Sequence, residues 1–166
     1  MDKLARVVTG YLRAQIEAGA QAVQLFDSWV GCLAPEDYRE YVLPHVQGIF
    51  EGLEGTDVPL IHFGTGTATL LELMKEAGGT VIGVDWRVPI DEARRRLGSD
   101  VALQGNLDPV VLFAPLHEIE RRVERILKQA GAGPGFIFNL GHGILPNTPV
   151  EHVRAAVDLV HKLSSR

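Results

Sequence analysis

The sequence predicts an α/β protein built on one parallel sheet of about five βα units, and three observations predict it. Short apolar runs of strand length alternate five times with amphipathic stretches of helix length. Each apolar run ends in polar or glycine-rich sequence: Asp27-Ser28, His62 before Gly64, Asp85-Trp86, Asn106 with Asp108, and Asn139 with His142. The 166 residues, 46% hydrophobic and 22% charged, are those of an ordinary single domain, residues 1–166, with enough apolar side chains to bury a core.

The first helix is expected after Asp2, a capping residue type, because Leu4, Val8, Leu12 and Ile16 recur at helical spacing until Gly19. The run Ala22-Val23-Gln24-Leu25-Phe26 reads as a buried strand, and Pro35-Glu36-Asp37 opens the next helix, acidic residues suiting its positive end. Pro44 falls inside that helix and predicts a kink. Val58 to Phe63 is the second strand, followed by a helix through Leu70, Leu71 and Met74 to Gly78. Thr80 to Val84 is the third, followed by a short helix from Ile90 to Leu97, and Val101 to Gln104 is the fourth, with a helix opening at Pro115. Phe136-Ile137-Phe138 is the fifth strand. The helix after it buries Val150, Val153, Val157 and Val160, with Thr148 as N-cap and Glu151 closing a capping box.

Strands that alternate with helices pair in parallel through right-handed crossovers. Two architectures satisfy that rule: a flavodoxin-like doubly wound sheet, complete at this length, and an arc of a (β/α)8 barrel, which needs about 250 residues to close. A barrel brings all its strand ends to one mouth, whereas an open sheet uses chiefly those beside its switch point. Polar residues at every strand end favour the barrel.

Composition excludes several classes. A net charge of −5 with a pI near 5.6 argues against general nucleic-acid binding, which needs a clustered basic face. The dense basic spots, Arg94-Arg95-Arg96 and Arg121-Arg122, have acidic helical neighbours and read as solvated faces. Cys32, the single cysteine, allows neither an internal disulfide nor a cysteine-based zinc site and fits a reducing cytoplasm. The amino-terminal residues mix charges into their apolar positions, unlike a signal peptide, and no window has the length of a membrane span.

His142 is the leading candidate for chemistry. It lies in Asn139-Leu140-Gly141-His142-Gly143, between a strand and a helix, where parallel α/β folds bind ligands. A turn with a merely solvated histidine is the alternative. Gly64-Thr65-Gly66-Thr67 has the look of a phosphate cradle but lacks the P-loop lysine and the third glycine of a dinucleotide fingerprint. Ser28 lacks the glycine of a nucleophile elbow. His62 and His142, with Asp85 or Asp108, offer a metal set only if they share a mouth. The remaining histidines fall in helical patterns as surface or packing residues. Trp29 and Trp86 follow strand ends, to cover a ligand or to pack under a loop.

Four ordered segments, Phe26-Asp27-Ser28-Trp29, Gly83-Val84-Asp85-Trp86, Leu103-Gln104-Gly105-Asn106-Leu107-Asp108-Pro109 and Asn139-Leu140-Gly141-His142-Gly143, together resemble the uroporphyrinogen decarboxylase family. The closing run from Glu151-His152-Val153 to Val160-His161-Lys162 fits it too. The resemblance covers essentially the whole chain but only the carboxyl-terminal part of the family. It implies the C-terminal part of a (β/α)8 TIM barrel, and an enzyme that converts uroporphyrinogen to coproporphyrinogen and CO2 in porphyrin and haem biosynthesis without metal or organic cofactor. It further implies that Ser28 contacts the tetrapyrrole and that His142 binds a substrate carboxylate or assists proton transfer. The family's amino-terminal Arg-Gln-Ala-Gly-Arg motif, its pyrrole-binding aspartate and its site tyrosine have no counterpart here. The resemblance therefore implies a chain that is inactive alone, unless Asp85 or Asp108 supplies the carboxylate. Its expected partners are a tetrapyrrole and either a second copy or an amino-terminal part. Corrinoid-dependent methyltransferases of the same superfamily, with a His-x-Cys zinc motif, are a rival, but the matching strand here reads His62-Phe63-Gly64. A non-catalytic flavodoxin-like binding module is the other.

Overall fold

The computed structural model describes residues 1–164. Strands β1 (Val23–Phe26), β2 (Leu60–Phe63), β3 (Val81–Gly83), β4 (Ala102–Leu107) and β5 (Phe136–Leu140) form one sheet in the order β1-β2-β3-β4-β5. All four pairings are parallel. Strand order never reverses, so there is no switch point and the doubly wound alternative is excluded. The α-helices are α1 (Asp2–Glu17), α2 (Pro35–Tyr41), α3 (Leu43–Glu51), α4 (Leu71–Ala77), α5 (Ile90–Leu97), α6 (Leu116–Ala130) and α7 (Val150–Ser164). None is long and apolar enough to cross a membrane among the described residues.

Sequence explains most of these elements. In α6, Ile119, Val123 and Ile126 lie three and four residues apart and are buried, with arginine and glutamate between them, and Gly131 at φ 75° stops the helix. Pro44 does more than kink its helix. It breaks the segment at Val42 and becomes an early residue of α3, where a missing N–H costs nothing. Two expected caps are not made: Asp2 lies inside α1 and pairs with His45, and the Thr148 hydroxyl donates to the Leu145 carbonyl.

The register assigns each strand residue a face. Val23, Leu60, Ile82 and Leu103 point to the helices and build two apolar clusters with them, one under α1 to α4 and one under α5 to α7 that Leu71 of α4 also joins. Ile61, Phe63 and Val81 are buried as well but belong to neither cluster, because they point to the other, inner face. That face is concave: Gln104 of β4 donates a hydrogen bond to Gln24 of β1 across the two strands between them. The sheet is thus an arc of a (β/α)8 barrel with five of its eight strands, left open at β1 and β5. At those edges the inner-face residues Phe26 and Ile137 are 67% and 41% exposed.

β4 and β5 each run further than their apolar residues suggest. Asn106 pairs with Asn139 and Leu107 with Leu140, so polar residues taken for loop are the last rungs of the sheet.

Candidate functional site

The carboxyl ends of all five strands lie on one rim, and their loops are cross-tied in sequence around it. The Thr65 hydroxyl, after β2, donates to the Ser28 carbonyl, after β1. Gly66 N–H donates to Asp85 Oδ2 at 2.6 Å, joining β2 to β3. Asn106 Nδ2 donates to the carbonyls of Asp85 (2.9 Å) and Val88 (2.6 Å), joining β4 to β3. At Gly141 a Cβ would stand 2.7 Å from the Trp86 nitrogen, so only glycine lets the β5 loop pack there.

These ties decide which polar residues remain for a ligand. Asp85, 1% exposed, accepts from Gly66 N–H, from Arg87 N–H (2.9 Å) and from the Arg87 guanidinium (2.6 Å). Its charge is fully used in holding two loops together. Asp108 Oδ1 accepts from Val110 N–H at 2.9 Å and caps the short 3-10 turn after β4. Asp85 is therefore not a free carboxylate, and Asp108 is held by one of its two oxygens. The Gly66 amide of the cradle-like loop is likewise engaged on Asp85. Trp86 packs against Gly141 and lies under the Arg87 guanidinium, 4.3 Å from the ring centre, whereas Trp29 stands 88% exposed at the rim.

His142 is exposed on the loop after β5. Gly143 N–H donates to its Nδ1 at 2.8 Å, so the neutral ring carries its proton on Nε2. That N–H is left to donate to an acceptor outside the loop. Ser28, partly buried, follows β1. β1 and β5 are the two edges of the arc, so Ser28 and His142 stand at opposite ends of the rim.

His62 is not at the mouth. It pairs in register with Ile82, points to the helices and is fully buried, its ring 5.3 Å from that of Phe50 and its Nδ1 3.1 Å from the Met74 carbonyl. Strand alternation sends it to the side opposite the inner face, so it cannot join His142 around a metal. Among the described residues no three His, Cys, Asp or Glu side chains form a metal-binding group.

Sequence reasoning missed the inner-face glutamines. Gln24 within Val23-Gln24-Leu25-Phe26 and Gln104 after Leu103 alternate with helix-facing apolar residues, and that alternation was the available signal.

An arc of parallel strands whose polar residues gather at the carboxyl ends belongs to the barrels that assemble ligand sites from their βα loops. Within that class, the uroporphyrinogen decarboxylase family model matches residues 1–163, and the chain belongs to this family. It is 60% identical over 163 residues to a uroporphyrinogen decarboxylase of Sorangium cellulosum, covering 98% of this chain and 47% of the relative. It is 56% identical to that of Carboxydothermus hydrogenoformans (99% and 47%) and 54% to that of Citrifermentans bemidjiense (100% and 49%). The chain spans about half the length of these curated relatives. Among solved structures it resembles a methyltransferase from Methanosarcina mazei, with a TM-score of 0.83 at 21% identity over 97% of this chain and 48% of that one. That likeness is one of fold.

Proposed function

We propose that this chain is the carboxyl-terminal half of a uroporphyrinogen decarboxylase, holding the tetrapyrrole through Ser28 and His142. The observation that carries the reading is the geometry of His142, whose Nδ1 is occupied by Gly143 N–H and whose Nε2–H is free for a carboxylate. Loss of CO2 from a pyrrole-acetate needs no cofactor if the ring is first protonated. The bond from methylene to carboxylate breaks, its electrons pass into the cationic ring, a proton delivered to the resulting methylene carbon gives the methyl group, and the ring carbon releases the proton it first took up. A fixed anion beside the pyrrole nitrogens stabilises the developing positive charge by several kcal/mol, roughly.

Among the described residues no carboxylate stands on the inner face of the sheet. Asp85 is engaged, Asp108 lies past the end of β4 as the cap of its turn, and the inner-face residues of β4 and β5 are Ala102, Gln104, Asn106, Ile137 and Asn139, all neutral. The carboxylate is therefore assigned to an amino-terminal half, whose three strands would complete the eight between β5 and β1. A cytoplasmic setting accords with the lone exposed thiol of Cys32.

The test is product formation from freshly reduced uroporphyrinogen under anaerobic conditions, with and without the amino-terminal half of a relative. Turnover only in the mixture is expected. Turnover by the 166-residue chain alone overturns the proposal.

A further inference from the structure

His62 Nε2 of β2 and Asp27 Oδ2, just past β1, lie 3.8 Å apart beside the turn that carries Ser28, and the Tyr38 phenol of α2 is close enough to feel the charge of Asp27. Asp27 continues the alternation of β1 and turns its side chain toward the helices. His62 and Tyr38 are both fully buried. The Nδ1 of His62 lies 3.1 Å from the Met74 carbonyl, and a carbonyl only accepts, so the neutral ring carries its proton on Nδ1 and presents a lone pair at Nε2. That lone pair faces Asp27 Oδ2 at 3.8 Å, beyond hydrogen-bond reach and acceptor against acceptor. Asp27 Oδ2, His62 Nε2 and the Tyr38 hydroxyl are all buried without a hydrogen-bond partner. Burial, and then the charge of Asp27, push the Tyr38 phenol well above its ordinary range, so it keeps its proton and is a donor.

We propose that Asp27, His62 and Tyr38 hold one water among them and so form a positioning unit that fixes the Phe26–Trp29 turn and presents Ser28 at the mouth. The water donates one hydrogen to Asp27 Oδ2 and the other to His62 Nε2, and accepts the Tyr38 O–H. Three bonds to groups that otherwise have none are what a buried water makes. Every polar atom is then satisfied with an ionised aspartate, a neutral histidine and a neutral tyrosine. The main chain of Asp27 is held from both sides, its N–H on the Phe63 carbonyl (2.7 Å) and its carbonyl on Val30 N–H (3.2 Å). Clamping its side chain removes the remaining freedom of the turn, and Ser28 is the next residue.

The first test uses the unaltered 166-residue chain. Imidazole 15N resonances of His62 are expected to show a protonated Nδ1 and a hydrogen-bonded, unprotonated Nε2. A free Nε2, or a proton on it, overturns the water bridge. The second test is Tyr38→Phe, which keeps the ring and removes only the oxygen. Amide exchange at Asp27 and Val30 should quicken about tenfold while α6 is unchanged. Unchanged exchange at the turn overturns the positioning role, and if α6 also exchanges, so that the variant has lost its fold, the His62 resonances decide. The functional consequence rests on the tetrapyrrole reading above. In the chain complemented with an amino-terminal half, Tyr38→Phe should weaken binding about fivefold with Ser28 present and not at all with Ser28→Ala. Additive losses overturn the coupling to Ser28. If Ser28→Ala is itself without effect, the tetrapyrrole reading falls, and the resonance and exchange results still decide the unit.

Discussion

Gln104 Nε2 lies 3.1 Å from Gln24 Oε1 although β2 and β3 separate their strands. In a flat sheet three strand spacings would put their backbones about 14 Å apart on parallel side-chain vectors. Their meeting shows that the side chains converge from a curved sheet, and it pins that curvature with an amide pair. Replacing Gln104 with Ala leaves Gln24 without its partner and should destabilise the chain by about 1–2 kcal/mol in urea unfolding. The same change in a Gln24→Ala background should cost clearly less. Equal costs in both backgrounds would mean that the pair holds nothing.

Asp85 is the staple of the rim. Asp85→Asn keeps the size but loses the charge that receives Gly66 N–H and the Arg87 guanidinium, and should cost about 2–3 kcal/mol. Urea titration measures the cost. Exchange at Gly66 should rise in parallel, since its amide loses an ionised acceptor.

His142→Ala should weaken tetrapyrrole binding in the complemented protein by about 1–3 kcal/mol, the worth of one hydrogen bond to a charged group. Titration calorimetry with a porphyrinogen gives the number. His142 is exposed, so the stability of the chain should hardly change. Equal affinity of variant and parent would reject the residue.

Glu118 receives Arg121 and Arg122 together, and their hydrogen bonds hold its carboxyl at about 2, against an ordinary 4.5. A folded-state value below the unfolded one contributes stability that is fully present above the unfolded value and lost as pH falls through the folded one. The contribution of Glu118 should therefore fade between pH 4.5 and about 2. Carboxyl 13C titration should give a midpoint near the lower figure, and Glu118→Gln should remove that part of the acid sensitivity. A midpoint near the ordinary value would show that the arginines do not hold it in solution.

The open edges at β1 and β5 leave backbone groups unpaired and apolar inner-face residues in water, Phe26 and Ile137 among them. The isolated chain should self-associate in analytical ultracentrifugation. An amino-terminal half should convert it to a defined complex. A monodisperse monomer that gains nothing from that half would show that the edges are not a docking surface.

The order of strands and helices was legible from the sequence because hydrophobic periodicity is a local property, and Ile119, Val123 and Ile126 announce a helix whatever surrounds them. The family was legible too, because ordered motifs at four strand ends survive in the residues themselves. The full lengths of β4 and β5 were not, since Asn106 and Asn139 are strand residues only by virtue of each other. Nor was the fate of the polar side chains. Asp85 and His62 both stand at or near strand ends, yet one is consumed by two loops and the other faces the helices. Which face a residue takes depends on register, and which charge is free depends on the neighbours that reach it. Both are set by contacts between segments far apart in the chain, and tertiary structure alone decided them.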